Sequence, residues 1–264
     1  MYDFAYSRPE SLAEALTALG DDDAARALSG GQTLLPVLRA RLAAPSTLVD
    51  LARLSELKGI KDEGGKVLIG AVETHADVAA NPIVRAAVPA LAHLAGGIGD
   101  VQVRYRGTIG GSVANNDPAS CYPCAHLALD AEVVTSRRRL SAEQFFTGMF
   151  STALEPGEIV TAIAFPHCTQ AHYEKFKNPA SRFALTGVFA AWLDGAVRIA
   201  ITGGGTGVFR WMAAEAHVQG GGAIDSLDTV SLDPGLFTGD LHGSAEYRQH
   251  LARVVTRRAL AAIS

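Results

Sequence analysis

The segment SGGQTLLP at residues 29–36 and the longer segment RGTIGGSVANNDPASCYP at residues 106–123 are the two glycine-rich segments that indicate the fold and the ligand of this chain. Glycine lets backbone N–H groups converge on an anion without obstruction by side chains, and a helix N-terminus adds partial positive charge. Two such loops suit a ligand that carries two linked phosphates. The sequence therefore predicts a dinucleotide ligand.

Residue types exclude two common nucleotide sites. No G-x-G-x-x-G opens a helix after the first predicted strand with an acidic residue following it, and no G-K-[ST] is available to hold a triphosphate. The run Gly203–Gly207 lacks the lysine, and a turn after the predicted strand Val197–Ile201 explains it. Neither a nicotinamide dinucleotide fingerprint nor a P-loop is therefore expected.

The two glycine segments resemble those of one known family, the FAD-binding medium subunits of molybdenum hydroxylases. This family includes the flavoprotein of aerobic carbon monoxide dehydrogenase and the flavin domain of xanthine dehydrogenase. Residues 173–183 (YEKFKNPASRF) resemble the start of the family's C-terminal flavoprotein domain. The likeness runs from Phe4 to the last predicted helix, and its motifs occur in the expected order.

The resemblance implies an α+β fold with two domains. Residues 1–168 would form a two-lobed FAD-binding domain of the vanillyl-alcohol-oxidase/PCMH type. Residues 169–264 would form a domain like the C-terminal domain of the carbon monoxide dehydrogenase flavoprotein, with a three-stranded antiparallel sheet plus helices. The residues themselves agree with a boundary here, because Pro166–Gln170 has the composition of a linker and the pattern of elements changes beyond it.

Local patterns predict how each glycine segment is flanked. Ala25–Leu28 is predicted as a short strand and Thr33–Arg41 as the helix that follows the first segment. Val101–Arg106 is predicted to be extended and to lead into the second segment. In the second half, the turn Asp194-Gly195 predicts a hairpin of two strands.

The resemblance implies an FAD site built mainly from the two segments. In the first, the glycines would free the backbone for close approach, and polar side chains would donate to phosphate oxygens from the helix start. In the second, hydroxyl groups would bond phosphate or ribitol oxygens. A strand-to-helix turn and an Asx turn at residues 115–118 remain alternative explanations. The expected contact residues are Ser29, Gly30, Gly31, Gln32, Thr33, Leu34, Thr108, Ile109, Gly110, Gly111, Ser112, Asn115 and Asp117.

Two residues outside the segments complete the expected flavin contacts. Lys177 matches a lysine that contacts the flavin in the xanthine dehydrogenase branch, where a cation near the N1/O2 edge would stabilise the anionic reduced ring. A solvated lysine at a strand end is the alternative. Val160 aligns with an apolar residue that packs near the isoalloxazine, and the alternative is an ordinary core valine.

Cys121 is the last expected FAD contact, and it departs from the family pattern. Many relatives carry an aspartate there that reaches the adenosine ribose, and a thiol cannot accept two hydroxyl hydrogen bonds as a carboxylate can. A neighbour such as Asp117 would take over, or the adenosine would be held less tightly. Cys121 and Cys124 also form a C-x-x-C, but the chain does not supply the further ligands of a cluster, so we expect buried free thiols and no metal.

Composition argues against a nucleic-acid-binding, membrane-spanning or secreted protein. The chain has 264 residues, 48% of them hydrophobic, and a net charge of −4, which gives no general attraction to nucleic acid or anionic membranes. No apolar run approaches the roughly twenty residues that span a bilayer. Residues 1–6 do not have the pattern of a secretory signal. An odd number of cysteines, three, favours a reducing cytoplasm.

The sequence supplies no catalytic triad, H-E-x-x-H motif or helical carboxylate pair, so we expect no catalytic residues. The resemblance implies an FAD-binding electron-transfer subunit. Its partners would be a large molybdopterin-binding subunit and a small subunit with [2Fe–2S] clusters, assembled as a dimer of heterotrimers. The alternatives are a stand-alone FAD-dependent oxidase or reductase with its own substrate pocket, and a scaffold that keeps the fold without flavin.

Overall fold

A small parallel sheet opens the chain in the computed structural model, which describes residues 1–264. Its strands are hydrogen-bonded in the order β1-β3-β2, and the first glycine segment lies between β2 and α2. Ser11 caps the first helix, because its Oγ accepts from the backbone N–H of Glu14. The elements are β1 (Ala5–Ser7), α1 (Leu12–Gly20), β2 (Arg26–Leu28), α2 (Leu34–Arg39) and β3 (Thr47–Asp50).

A helical region of six helices follows a β-hairpin and contains the second glycine segment. Thr74 begins its first helix with a capping box, in which Thr74 and Asp77 each bond the other's backbone N–H. The elements are β4 (Ile60–Glu63), β5 (Lys66–Gly70), α3 (His75–Ala80), α4 (Pro82–Ala87), α5 (Pro89–Gly96), α6 (Val101–Arg104), α7 (Ile109–Asn115) and α8 (Tyr122–Ala128).

The chain then completes a five-stranded antiparallel sheet in the order β4-β5-β10-β6-β7. The helical region packs against it around the largest core, of 34 buried residues, which includes Tyr122, Phe145 and Phe165. The remaining elements of this part are β6 (Glu132–Thr135), β7 (Arg139–Ser141), α9 (Ala142–Phe145), β8 (Phe146–Gly148), β9 (Ser151–Thr152) and β10 (Val160–Pro166).

The last part is an antiparallel sheet in the order β11-β12-β13-β14, packed against two helices. Strand β12 alternates between two cores: Phe189 and Ala191 belong to the large core, whereas Val188 and Ala190 belong to a second core of 15 residues. The sheet is therefore covered on both faces. The elements are β11 (Ala171–Lys177), β12 (Ala184–Leu193), β13 (Ala196–Thr202), β14 (Phe209–Arg210), α10 (Met212–Gln219) and α11 (Ala245–Ala261).

Most of the local predictions agree with this structure. The strand and helix predicted around the first glycine segment are present, and the predicted hairpin is joined by Asp194 and Gly195, both with positive φ. None of the helices is long and apolar enough to cross a membrane.

Two predictions were wrong. The segment Val101–Arg106 is not extended, because Asp100 caps a short helix there by accepting from the N–H of Val103 at 2.8 Å. The C-terminal sheet has four strands and not three, since the two-residue strand β14 pairs with the edge of β13. Both errors concern elements of two to four residues, which carry little periodicity to recognise.

Candidate functional site: two glycine segments beside a basic cleft

The tertiary structure brings the two glycine segments into direct contact. The hydroxyls of Ser29 and Thr108 are hydrogen-bonded at 2.9 Å. The backbone of Gly30 lies so close to the second segment that a Cβ atom there would be 2.1 Å from the Arg106 carbonyl oxygen. Residues almost eighty positions apart therefore form one surface.

The first segment presents unused backbone donors. The amides of Gly30, Gly31, Gln32 and Thr33 donate to no protein acceptor, and α2 begins only at Leu34. Gly31 has φ +70°, a left-handed conformation that glycine adopts without strain. Successive free N–H groups ahead of a helix form a concave anion site. Gln32 and Thr33 are exposed, and Leu34 is half-buried at the first position of the helix.

The second segment uses its backbone donors internally. The amides of Ile109 and Gly110 donate to the carbonyls of Glu73 and Ala71 at 3.0 and 2.8 Å. The amide of Gly111 donates to the Oγ of its N-cap, Thr108, at 3.2 Å. Ile109 and Gly110 are buried, and a Cβ on Gly110 would lie 2.5 Å from that of Ala71. This segment is thus a packed helix start and not an open loop.

One position of the second segment remains open. Gly111 is exposed, and a Cβ added there would meet only the Thr108 hydroxyl closely, at 2.9 Å, and then the Ser29 side chain at 3.9 Å. Gly111 therefore faces the first segment. Ser112 lies one residue further along α7, and its hydroxyl bonds that of Ser120 at 2.7 Å.

The polar turn after α7 is partly structural. Asn116 has φ +43°, and its amide donates to the carbonyls of Gly148 and Ser151, both at 2.8 Å. Asp117 accepts from the N–H of Ala119 at 2.8 Å, as in an Asx turn. Asn115 is half-buried and its side chain makes no hydrogen bond to protein.

A basic cleft lies where the end of α5 meets the last residues of β11. A cavity of about 710 Å³ is lined there by Arg85, His93, Lys175 and Lys177, with Glu174 as its carboxylate. A second cavity of about 390 Å³ shares Gly96, Gly97 and Lys177 with the first and adds three residues with cationic or amide groups. These are Arg104, Asn178 and Arg182. The excess of positive charge favours an electron-rich or anionic ligand.

The remaining predicted contacts occupy different environments. Lys177 is exposed at the end of β11 and borders both cavities. Val160 and Cys121 are each 5% exposed and belong to the large core. The Cys121 sulfur accepts from Lys175 Nζ at 3.4 Å. Sequence reasoning had not identified Arg104, Lys175 or Arg182, which have no motif of their own, although two of them lie within the segment 173–183.

A buried histidine, His75, packs against the residues that begin the second segment. His75 packs against Gly107, where a Cβ would lie 2.7 Å from the ring Nε2, and its Nδ1 is 3.3 Å from the Tyr122 hydroxyl. Burial, and then the positive charge of Arg104, lower the pKa of His75 to about 4. His75 is therefore neutral at pH 7 and acts as a packing residue.

The chain holds no cluster of three or more His, Cys, Asp or Glu residues arranged to bind a metal ion, and its three cysteines are free and buried.

Comparison with known proteins identifies the family. Residues 2–168 match the family model described as the FAD binding domain in molybdopterin dehydrogenase. The chain belongs to this family: it is an FAD-dependent oxidoreductase subunit, and FAD is its cofactor.

The relatives cover nearly the whole chain. It is 37% identical to the glyceraldehyde dehydrogenase medium chain of Sulfolobus acidocaldarius, over 97% of each chain. It is 34% identical to the carbon monoxide dehydrogenase medium chain of Hydrogenophaga pseudoflava, over 97% of this chain and 96% of that one. Among solved structures, quinoline 2-oxidoreductase from Pseudomonas putida 86 matches with a TM-score of 0.90 at 29% identity, covering 99% of this chain and 97% of that chain.

Proposed function

We propose that this chain is the FAD-binding electron-transfer subunit of a molybdenum hydroxylase. It takes electrons from [2Fe–2S] clusters of a partner subunit and passes them to a final acceptor. In this proposal residues 1–168 are the two-lobed domain of the vanillyl-alcohol-oxidase/PCMH type and residues 169–264 are the C-terminal flavoprotein domain. The boundary agrees with the gap between β10, which ends at Pro166, and β11, which begins at Ala171.

The observation that carries the proposal is the row of four free amides at Gly30–Thr33. Two linked phosphates need several donors at close range, and this row is joined by the hydroxyls of Ser29 and Thr108. Gly111 keeps the opposite wall free of side-chain bulk. These residues would hold the pyrophosphate of FAD.

The basic cleft suits the ring system of the same cofactor. Lys177 would set its ammonium against the N1/O2 edge of the isoalloxazine, as the sequence predicted. Arg104 and Arg182 line the same cavity and add positive charge. FAD bound there supplies redox chemistry in one- and two-electron steps. The role of this chain's residues is then to orient the ring and stabilise negative charge on it.

Substrate oxidation belongs, in this proposal, to a large molybdopterin-binding subunit, and a small [2Fe–2S] subunit delivers the electrons. The names of the relatives support such an assembly, since several are medium chains of dehydrogenases and one is the medium subunit of a hydroxylase. We propose a dimer of these heterotrimers in the cytoplasm. The face toward the small subunit includes Thr74 and the turn Asn115–Asp117. The exposed tip Met149–Phe150 is attached to this turn, because Phe150 N donates to the Asn116 carbonyl.

The decisive experiment compares the isolated subunit with the assembled complex. We expect acid precipitation to release all the flavin as FAD, since no residue is placed for covalent attachment. We expect the isolated chain to oxidise no aldehyde, purine or carbon monoxide, and addition of the molybdenum and iron–sulfur partners to restore substrate-dependent flavin reduction. Flavin reduction by the chain alone would replace this proposal with a stand-alone oxidase or reductase, and a colourless native protein would indicate a flavin-free scaffold.

A further inference from the structure

A half-buried amine, that of Lys175, and a buried thiol, that of Cys121, meet at the edge of the basic cleft. The Nζ of Lys175 lies 3.4 Å from the Sγ of Cys121, and it also donates to the carbonyls of Gly97 and Arg182 at 2.9 and 3.2 Å. These two carbonyls hold the lysine side chain in place beside the sulfur. The contact joins the start of α8 to β11, 54 residues later in the chain.

The other two cysteines lack such a neighbour. The thiol of Cys124 donates to the Cys121 carbonyl at 2.9 Å, and that of Cys168 donates to the Trp192 carbonyl at 3.3 Å. Burial raises the pKa of both thiols, which keeps them protonated and unreactive. Of the three, only Cys121 has a cationic nitrogen against its sulfur.

A third polar group, the Tyr173 hydroxyl, lies near Cys121 and Lys175. The Tyr173 hydroxyl is buried and makes no hydrogen bond of ordinary geometry. Burial, followed by the charges that Cys121 and Cys124 would carry, raises its pKa well above the ordinary value. Tyr173 and Lys175 both line the cavity of about 710 Å³, so a small oxidant that enters the cavity reaches the edge of this cluster.

We propose that Cys121 and Lys175 are a redox modification site, at which hydrogen peroxide drives formation of a covalent sulfenamide bond between Sγ and Nζ. Peroxide oxidises accessible cysteine sulfur to sulfenic acid, and the Lys175 nitrogen lies within contact distance of the sulfur that would be oxidised. The proposal does not depend on the electron-transfer function proposed above.

The reaction balances with one molecule of peroxide. The thiol takes one oxygen from hydrogen peroxide to become a sulfenic acid, and one water is released. The Lys175 ammonium first gives one proton to solvent, and its free amine then attacks the sulfur, so that the N–S bond forms and the S–O bond breaks. The hydroxyl leaves as a second water with one further proton from the nitrogen. Sulfur is oxidised by two electrons and peroxide is reduced. Cysteine sulfenic acids are known to condense with a backbone nitrogen to a sulfenamide, and here the nearby nitrogen is the Lys175 amine.

The test is mass spectrometry of the full chain after treatment with hydrogen peroxide, with and without bound flavin. We expect the intact mass to fall by two hydrogens, a linked peptide to join Cys121 to Lys175, and a thiol reductant to restore both residues. Sulfinic acid at Cys121 with Lys175 unlinked would overturn the proposal. So would an additional oxygen in the linked peptide, because that mass belongs to an N–O–S bridge.

Two variants separate the sulfenamide from a disulfide of the same mass. Cys124→Ser cannot form a Cys121–Cys124 disulfide and should keep the full loss of two hydrogens. Lys175→Arg keeps the positive charge and should abolish the link while Cys124 remains available. If Lys175→Arg does not fold, the result with Cys124→Ser decides alone: persistence of the mass loss and of the linked peptide supports the proposal, and their disappearance contradicts it.

Discussion

The two glycine segments have similar composition, but they differ in whether their backbone amides are hydrogen-bonded. At residues 30–33 the backbone amides are unused and the chain is partly exposed, whereas at residues 109–112 every amide is bonded within the protein. Glycine in the first segment permits a left-handed backbone and close approach to Arg106. Glycine at position 110 makes room for Ala71. A glycine-rich motif therefore identifies a ligand site only when its amides are known to be free.

Because only the first segment has free amides, the two segments have different roles. The first segment supplies backbone donors for a phosphate. The second segment, residues 109–112, packs against the first and fixes its position, and we call it the wall of the site. The hydrogen bond between Ser29 and Thr108 is the polar link between them. Substitutions in the second segment should accordingly divide into those that damage the wall and those that only obstruct the site.

Gly30→Ala should have the largest effect, because its Cβ would overlap backbone atoms that cannot rotate away, at 2.1 Å from Arg106 O and 2.7 Å from Gly107 Cα. We expect a loss of about 3 kcal/mol in unfolding free energy. Urea denaturation of the flavin-free chain measures it. Gly20→Ala is the control, since nothing lies within 4 Å of its added Cβ, and its stability should change by less than about 0.5 kcal/mol. An unchanged midpoint for Gly30→Ala would mean that the two segments are not in contact.

Gly111→Asp should leave the fold intact and weaken FAD binding by about a hundredfold, because it sets a carboxylate against the anion site. The affinity is measured by titrating deflavinated protein with FAD and following flavin fluorescence. Gly111→Ala is the matched control: its methyl group meets only the Thr108 hydroxyl, whose side chain can rotate. Equal affinities for the two variants would show that charge at this position does not matter and that the site lies elsewhere.

Acid should destabilise the folded chain through His75, which packs against the second segment, and through His126 in α8. The pKa values of His75 and His126 are lowered to about 4 by burial, so the unfolded chain, with ordinary values near 6.5, binds protons first as the pH falls. Their effect is absent above pH 6.5 and grows as the pH falls toward 4. At pH 5 we expect each to cost about 2 kcal/mol of unfolding free energy.

The variant His75→Asn should reduce the slope of unfolding free energy against pH between pH 6.5 and 5 by about a third to a half, because His126 and His93, whose pKa values burial also lowers, supply the rest. His250→Asn, at an exposed position of α11, is the control and should keep the wild-type slope. If the slope of unfolding free energy against pH is the same in His75→Asn as in the wild-type chain, then this histidine is accessible to protons in the folded state.

The smallest effect should be the coupling between Ser29 and Thr108. A double-mutant cycle with Ser29→Ala and Thr108→Ala should give a coupling of about 1 kcal/mol, as for one neutral hydrogen bond. Thr108→Ala alone should cost more than Ser29→Ala, because Thr108 also caps α7. Strictly additive effects in thermal unfolding would indicate that the hydroxyl contact does not hold the segments together.

Sequence reasoning succeeded where the signal is local. The short strand and the helix around the first glycine segment, and the hairpin turn at Asp194-Gly195, follow from apolar patterning and turn preference, which depend on neighbouring residues. It failed at α6, where a four-residue helix depends on one cap at Asp100. The FAD contacts assigned to single side chains, including Lys177, Val160 and Cys121, remain predictions.

By itself the sequence determined the family, the cofactor and the elements around the first glycine segment, because glycine motifs and short apolar patterns consist of consecutive residues. Only the tertiary structure decided that Gly30 lies against Arg106, that the amides of the second segment are already used, and that Lys175 meets Cys121. The physical reason is the same in each case. Which donors remain free, and which side chains meet, depend on contacts between residues that are distant in the chain and are set when the sheets and helices pack together.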